Sequence, residues 1–173
     1  MGRRLKIIGA GPSENSLRRM AGPSVEFLGP VNDVELRENL AGCRALLFPG
    51  EEDFGIVPVE AQSFGKPVVA YASGGALETV RGVFSNEAVM ENPTGVFFAE
   101  GSVAGLTSGI LEFEASEREF RPEVIREHSL QFDSAIFKRR MSEFIASAVR
   151  DFRGRSLLDN RSADKTYDSF ARV

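Results

Sequence analysis

The sequence predicts an α/β fold, a doubly wound parallel sheet followed by a long C-terminal helix. Three observations carry that expectation. Short, wholly apolar runs such as Ala45-Leu46-Leu47-Phe48 and Pro67-Val68-Val69-Ala70-Tyr71 lack the alternation of a half-exposed strand and suit strands covered on both faces. Between these runs lie glycine-containing turns and segments with helix-capping residues or helical spacing. From Asp133 onward, Phe137, Met141, Phe144, Ile145, Ala148, Val149 and Phe152 recur at helical spacing and form one apolar stripe.

Taken in order, Leu5-Lys6-Ile7-Ile8 is a strand that stops at Gly9-Ala10-Gly11-Pro12, and a helix follows through Leu17 and Met20. Gly22-Pro23 breaks the chain before a second strand, Val25-Glu26-Phe27-Leu28. Asn32 or Asp33 then caps a helix carrying Val34, Leu36 and Leu40. The third strand, 45–48, ends at Pro49-Gly50. An acidic loop leads into a helix from about Ile56 to Phe64 that is closed by Gly65, and Pro58 suits only the first turn of that helix.

The fourth strand, 67–71, is followed by a Ser73-Gly74-Gly75 turn and a short helix over 76–80. Residues 81–94 lack periodicity and read as an extended surface loop before a fifth strand at Gly95-Val96-Phe97-Phe98. Helices are expected at about 102–114, 122–130 and from 133. Residues 1–132 are thus expected to form one sheet domain, with 133–152 a helix packing on it. Residues 153–173, where charges alternate with Ser, Asn and Gly, read as a disordered tail.

Composition narrows the function classes. With 42% hydrophobic and 27% charged residues, the chain is globular, neither disordered nor fibrous. Its 21 basic residues are scattered among 25 acidic ones, for a net charge of −4, so it shows no electrostatic footprint for nucleic acid. The single Cys43 excludes an internal disulfide and a multi-cysteine metal site and fits a reducing, cytoplasmic compartment. The single His128 excludes a histidine-based triad and a His-rich metal site. No apolar run approaches the ~20 residues of a membrane span, so membrane contact is expected to be peripheral at most.

Ligands of open parallel sheets sit at the carboxyl ends of the strands, where loops enter helices. The richest such loop here is Pro49-Gly50-Glu51-Glu52-Asp53-Phe54-Gly55-Ile56. A helix amino terminus offers N–H groups and a positive dipole end to phosphate or sugar oxygens, and Gly55 lets backbone approach a ligand closely. Glu52 and Glu60, eight positions apart, can each accept paired hydrogen bonds from a diol, one on a sugar and one on a ribose. The plainer reading is that Glu51, Glu52 and Asp53 cap a helix through its dipole and that Glu60 is a solvated helix residue.

Gly9 and Gly11 are candidates for phosphate contact. The third glycine of a dinucleotide fingerprint is replaced by Glu14, and the second strand ends in Gly29-Pro30 without an acid for a ribose, so a nicotinamide dehydrogenase rests on that pair alone. Gly74 and Gly75, with Glu78 three residues on, fit either close approach to a ligand or a plain tight turn.

Read as a block, EEDFGIVPVEAQSFGKPVVAYASGGALETV resembles the signature of the family-4 retaining glycosyltransferases of GT-B fold, and in particular bacterial mannosyltransferases of O-antigen and polysaccharide biosynthesis. Their motif of two Glu separated by seven residues falls on Glu52 and Glu60. IIGAGP, VEFLGPVND, LLFPG and PTGVFF extend the likeness over about residues 5–150.

The resemblance implies a Rossmann-like half of a GT-B fold that binds a nucleotide diphosphate sugar, GDP-mannose first, for retaining transfer to a saccharide or lipid-linked acceptor. It implies no cofactor and no obligatory metal. Glu52 would contact the donor sugar, Phe54, Gly55 and Ile56 would offer backbone N–H groups, Glu60 would bind the ribose, and Val31 and Asn32 would lie beside the base.

Family members begin this domain with a strand and a loop whose Arg and Lys grip the diphosphate, and an acceptor-binding domain precedes it; neither is found in the 173 residues. The expectation is therefore a donor half, inactive without its acceptor domain, with an apolar stripe prone to self-association. The alternative is a non-catalytic binding or interaction module in which Glu52 and Glu60 serve stability alone.

Overall fold

Wholly apolar strands are stable only where both faces are covered. The computed structural model, which describes residues 2–84 and 91–167, arranges them accordingly. The elements run β1 (Leu5–Ile8), α1 (Glu14–Met20), β2 (Val25–Gly29), α2 (Asp33–Gly42), β3 (Leu46–Phe48), α3 (Ile56–Ser63) and β4 (Val68–Tyr71). They continue with α4 (Ala76–Thr79), β5 (Gly82–Val83), β6 (Gly95–Phe98), α5 (Val103–Ser116), α6 (Pro122–Leu130) and α7 (Ser134–Tyr167).

Every strand pairing is parallel, as an alternation of strands and helices requires. Among the described residues the strands form two sheets: β1 with β2, and four strands in the order β3-β4-β6-β5. In the larger sheet, Val68, Val69, Ala70 and Val96 are completely buried. Strand alternation divides the apolar residues between two layers. Val68, Ala70, Phe48 and Phe97 join Leu40 of α2, Ala61 of α3 and Ala76 of α4. Val69, Val96 and Phe98 join Phe113 of α5 and Ile125 of α6. A sheet covered on both sides follows directly.

Local chemistry sets the helix starts. Asn32 Oδ1 accepts from the N–H groups of Val34 and Glu35 at 2.9 and 3.0 Å, and the Glu35 carboxylate accepts from Asn32 N–H, a complete capping box. Ser102 caps α5 by accepting from Gly105 N–H at 3.0 Å. Cys43 is half-buried beside the Leu40 carbonyl, and that burial pushes its thiol pKa up.

Three expectations change. The 81–94 segment contains the short strand β5, which pairs with β6; of the rest, residues 85–90 lie outside the described residues. The chain divides into compact units 1–128 and 129–173, so the boundary falls inside α6 and not after 132. The segment expected to be a disordered tail from 153 is helical as far as Tyr167. Once a helix is nucleated, each further residue fixes one backbone unit for one hydrogen bond, and residues of ordinary helix propensity suffice to continue it. Within the second unit, Phe137, Met141, Phe144, Ile145, Val149 and Phe152 are exposed along α7.

Gly95 begins β6 directly opposite Val68. A Cβ there would lie 2.1 Å from the Val68 carbonyl oxygen, a contact only backbone movement relieves. Gly95→Ala should therefore cost roughly 1–3 kcal/mol. Gly101→Ala, whose new methyl meets Tyr71 at an ordinary 3.6 Å, should leave stability within about 0.5 kcal/mol. Urea denaturation midpoints of the two variants check this.

Candidate active site

The acidic loop emerges where a sheet protein gathers its ligands, at the carboxyl end of β3 and ahead of the amino end of α3. Gly55 is the N-cap of α3, with φ of 79° in the left-handed region that side chains disfavour. It supplies no side-chain cap, and the first turn of α3 holds no acidic residue. Glu51, Glu52 and Asp53 precede the helix and are exposed, and none of them caps it. Phe54, Ile56 and Val57 are also exposed beside the helix start, and Glu60 is exposed one turn along.

Backbone contact holds the loop in place. Gly75 N–H donates to the Glu52 carbonyl at 2.7 Å. Cβ atoms at Gly74 and Gly75 would meet the Glu52 carbonyl oxygen at 2.5 Å and the Phe54 backbone at 2.4 Å. The two glycines are therefore spent on approaching the loop itself, and the Glu52 side chain is left facing solvent.

Behind this contact lies a buried polar bridge that sequence reading missed. Thr79 Oγ1 donates to the Gly75 carbonyl at 2.9 Å. Gln62 of α3, completely buried, donates through Nε2 to the carbonyls of Pro58 at 3.1 Å and Thr79 at 2.9 Å. Its Oε1 has no hydrogen-bond partner among the described residues. His128 Nε2 lies 3.1 Å from the same Thr79 carbonyl, so that nitrogen carries the proton. One signal was available for Gln62: it lies four residues after Pro58, on the same helix face, and Pro58 is buried.

The other nominated residues are dispersed over further loops. Gly9, with φ of 110°, is exposed, and its N–H donates to the Gly29 carbonyl at 2.8 Å. Gly11 is exposed, and its carbonyl accepts from Glu14 N–H. Val31 is half-buried just after β2, and the side-chain oxygen of Asn32 is committed to the α2 cap. A cavity of about 200 Å³ opens at the ends of β3 and β6, lined by Pro49, Phe98, Gly101, Ser102, Val103 and Leu106, of which only Pro49 belongs to the loop the sequence singled out. Among the described residues no group of three or more His, Cys, Asp or Glu is placed to hold a metal ion.

The family profile described as glycosyl transferases group 1 matches residues 2–129. The chain is 39% identical over 87 residues to a GDP-mannose-dependent monoacylated phosphatidylinositol monomannoside mannosyltransferase of Corynebacterium glutamicum, covering 44% of this chain and 23% of the relative. It is 43% identical over 70 residues to an alpha-1,3/1,6-mannosyltransferase of Candida glabrata, covering 39% of this chain and 15% of the relative. It is 29% identical over 134 residues to a sulfoquinovosyl transferase of Arabidopsis thaliana, covering 75% of this chain and 25% of the relative.

Among solved structures, HepE of Anabaena in complex with UDP superposes with a TM-score of 0.64 at 22% identity, over 84% of this chain and 41% of HepE. Sucrose-phosphate synthase of Thermosynechococcus elongatus gives 0.66 at 22% identity, over 85% and 39%. Both likenesses concern the fold. The chain spans a quarter or less of these curated relatives and about two fifths of these solved chains.

Two outcomes follow from the bridge. Gly75→Ala should displace the Glu52–Phe54 backbone and cost roughly 1–3 kcal/mol, read as a lower melting temperature with faster proteolysis in the 50–55 loop. His128 titrates below its ordinary value, mainly through burial; the Thr79 hydrogen bond opposes the shift and Arg81 adds to it. The folded state then binds fewer protons than the unfolded state between that lowered value and about 6.5. This contribution to stability is present above pH ~6.5 and is lost as pH falls through the window. In urea melts, His128→Gln should show a shallower loss between about pH 7 and pH 5.5, and equal slopes would rule out the assignment.

Proposed function

The chain belongs to the group 1 glycosyl transferases, and on that premise we propose that it is the donor-binding half of a retaining glycosyltransferase of family 4 that takes a nucleotide diphosphate sugar, GDP-mannose first. The observation that carries the reading is the start of α3. The helix begins at a left-handed Gly55 without a side-chain cap, and Glu52 is exposed beside it while its backbone is pinned by Gly75. The likeness to a GDP-mannose-dependent enzyme and to an alpha-1,3/1,6-mannosyltransferase favours mannose and guanine. HepE, of the same fold, is seen with UDP and with UDP-glucose.

In this reading the α3 amino end and the backbone N–H groups of Gly55 and Ile56, with that of Phe54, receive phosphate or sugar oxygens. Glu52 accepts hydrogen bonds from hydroxyls of the donor sugar, and Glu60 accepts them from the ribose diol. Val31 and Asn32 border the base; the Asn32 amide nitrogen serves there, because its oxygen is used in the helix cap. Gly9 and Gly11 lie on the diphosphate side. The chain's contribution to transfer is positioning and electrostatic stabilisation of an oxocarbenium-like transition state with front-face attack by the acceptor hydroxyl. Neither a cofactor nor an obligatory metal is required. A saccharide or lipid-linked acceptor is held by a separate acceptor domain, so the 173 residues alone bind donor without transferring it. The reaction takes place in the cytoplasm, peripherally at the inner face of the membrane; no described helix is long and apolar enough to cross one.

Calorimetric titration with GDP, UDP and GDP-mannose tests the reading. Glu60→Gln should weaken GDP and GDP-mannose alike by about 1.5–3 kcal/mol, roughly ten- to a hundredfold in Kd. Glu52→Gln should weaken GDP-mannose while leaving GDP unchanged. Binding of none of the three nucleotides, or equal effects of both variants on GDP, would overturn the assignment.

A further inference from the structure

Gln62 is completely buried, and its Oε1 has no hydrogen-bond partner among the described residues. Leaving such an oxygen dry costs free energy that an apolar side chain of similar volume would not incur. A local rule broken in the interior points to a residue kept for what its other atoms do.

Those other atoms join two helices. Gln62 Nε2 donates to the Pro58 carbonyl at 3.1 Å, in the first turn of α3, and to the Thr79 carbonyl at 2.9 Å, at the end of α4. From Thr79 the path continues to the acidic loop: Thr79 Oγ1 donates to the Gly75 carbonyl at 2.9 Å, and Gly75 N–H donates to the Glu52 carbonyl at 2.7 Å. One amide nitrogen thus ties the helix that starts at Gly55 and Ile56 to the loop that carries Glu52.

None of the acceptors on this path depends on a side chain of the path for its only partner. The Pro58 carbonyl lies in the backbone ladder of α3. The Gly75 carbonyl also accepts from Thr79 N–H at 3.0 Å, and the Thr79 carbonyl also has His128 Nε2 at 3.1 Å. Removing the Gln62 amide therefore orphans no carbonyl. What it removes is the tie that fixes Glu52 relative to the start of α3.

A sugar nucleotide spans both ends of that tie. In the proposed mode of binding the nucleotide part rests on α3, through its amino end and Glu60, and the sugar rests on Glu52. A nucleoside diphosphate without its sugar asks nothing of Glu52. We propose that Gln62 is a positioning residue for the sugar end of the donor site, acting through Thr79 and Gly75 to hold Glu52 in register with the α3 start, a role that rests on the donor-binding reading. Gln62 touches no ligand itself; it supplies the sugar's share of the affinity by keeping the two contact points at the spacing one donor molecule needs.

Titration of the 173-residue chain with GDP and GDP-mannose tests this in Gln62→Leu, Thr79→Val and Thr79→Ser. Gln62→Leu should keep its melting temperature within about 4 °C of the wild type. It should weaken GDP-mannose about five- to tenfold and leave GDP within about twofold. Thr79→Val, which loses the hydroxyl while keeping the shape, should shift the same ratio, and Thr79→Ser, which returns the hydroxyl, should restore most of it. In a Glu52→Gln background Gln62→Leu should add little further, because both changes act on one contact. Amide exchange at Gly75 should quicken about tenfold in Gln62→Leu, a readout that requires no ligand.

Binding of neither nucleotide by the wild-type chain overturns the donor reading and this role together. Where the wild type binds both, a GDP-mannose to GDP ratio unchanged by Gln62→Leu overturns the role alone. Equal weakening of both nucleotides, the result of a purely structural bridge, leaves that ratio unchanged and counts against it. Thr79→Val decides by the same ratio should Gln62→Leu not fold.

Discussion

The geometry of the candidate site depends on one contact between two backbones, the 2.7 Å hydrogen bond from Gly75 N–H to the Glu52 carbonyl. It forms only because positions 74 and 75 carry no Cβ, since either methyl would sit within 2.5 Å of the loop. An acidic loop cannot organise itself through its own side chains, because adjacent carboxylates repel one another. Here the loop is held through its peptide groups, which leaves its carboxylates exposed.

That contact is in turn held from beneath. Thr79 closes α4 onto Gly75, and Gln62 crosses from α3 to the Thr79 carbonyl, which also receives His128. Burying an amide side chain costs free energy unless its polar atoms are paired, and Gln62 Oε1 has no partner among the described residues. What the arrangement gains is a bridge between the two helices whose amino ends flank the acidic loop. The apolar layers on either side of β3, β4 and β6 supply the rigid floor from which these helices and the loop extend.

Much of this architecture was legible beforehand. Strands covered on both faces leave uninterrupted apolar runs, and Leu46–Phe48, Val68–Tyr71 and Gly95–Phe98 all appear where such runs stand. Asn32 announced its capping box through Glu35, and Gly55 its helix start. Other features had no local signal. The turn residues Gly74 and Gly75 read equally as ligand contacts, because which backbone approaches a glycine depends on residues twenty positions away. The two-residue β5 inside the 81–94 segment exists only by pairing with β6, and the helix beyond 153 continues by propagation, without a periodic pattern of its own.

The sequence by itself determined the succession of elements and the covered, parallel character of the strands, because these are written in local chemistry: burial pattern, caps and turn residues; Glu52 and Glu60 were nominated by the resemblance of their motif to a family signature. Only the tertiary structure decided that the strands fall into two sheets, that Arg3 and Arg44 share Glu114, and that Gln62 and Thr79 support the loop. Those are contacts between residues far apart in the chain, and a hydrogen bond or ion pair of that kind has no periodicity to betray it until the fold brings its partners within reach.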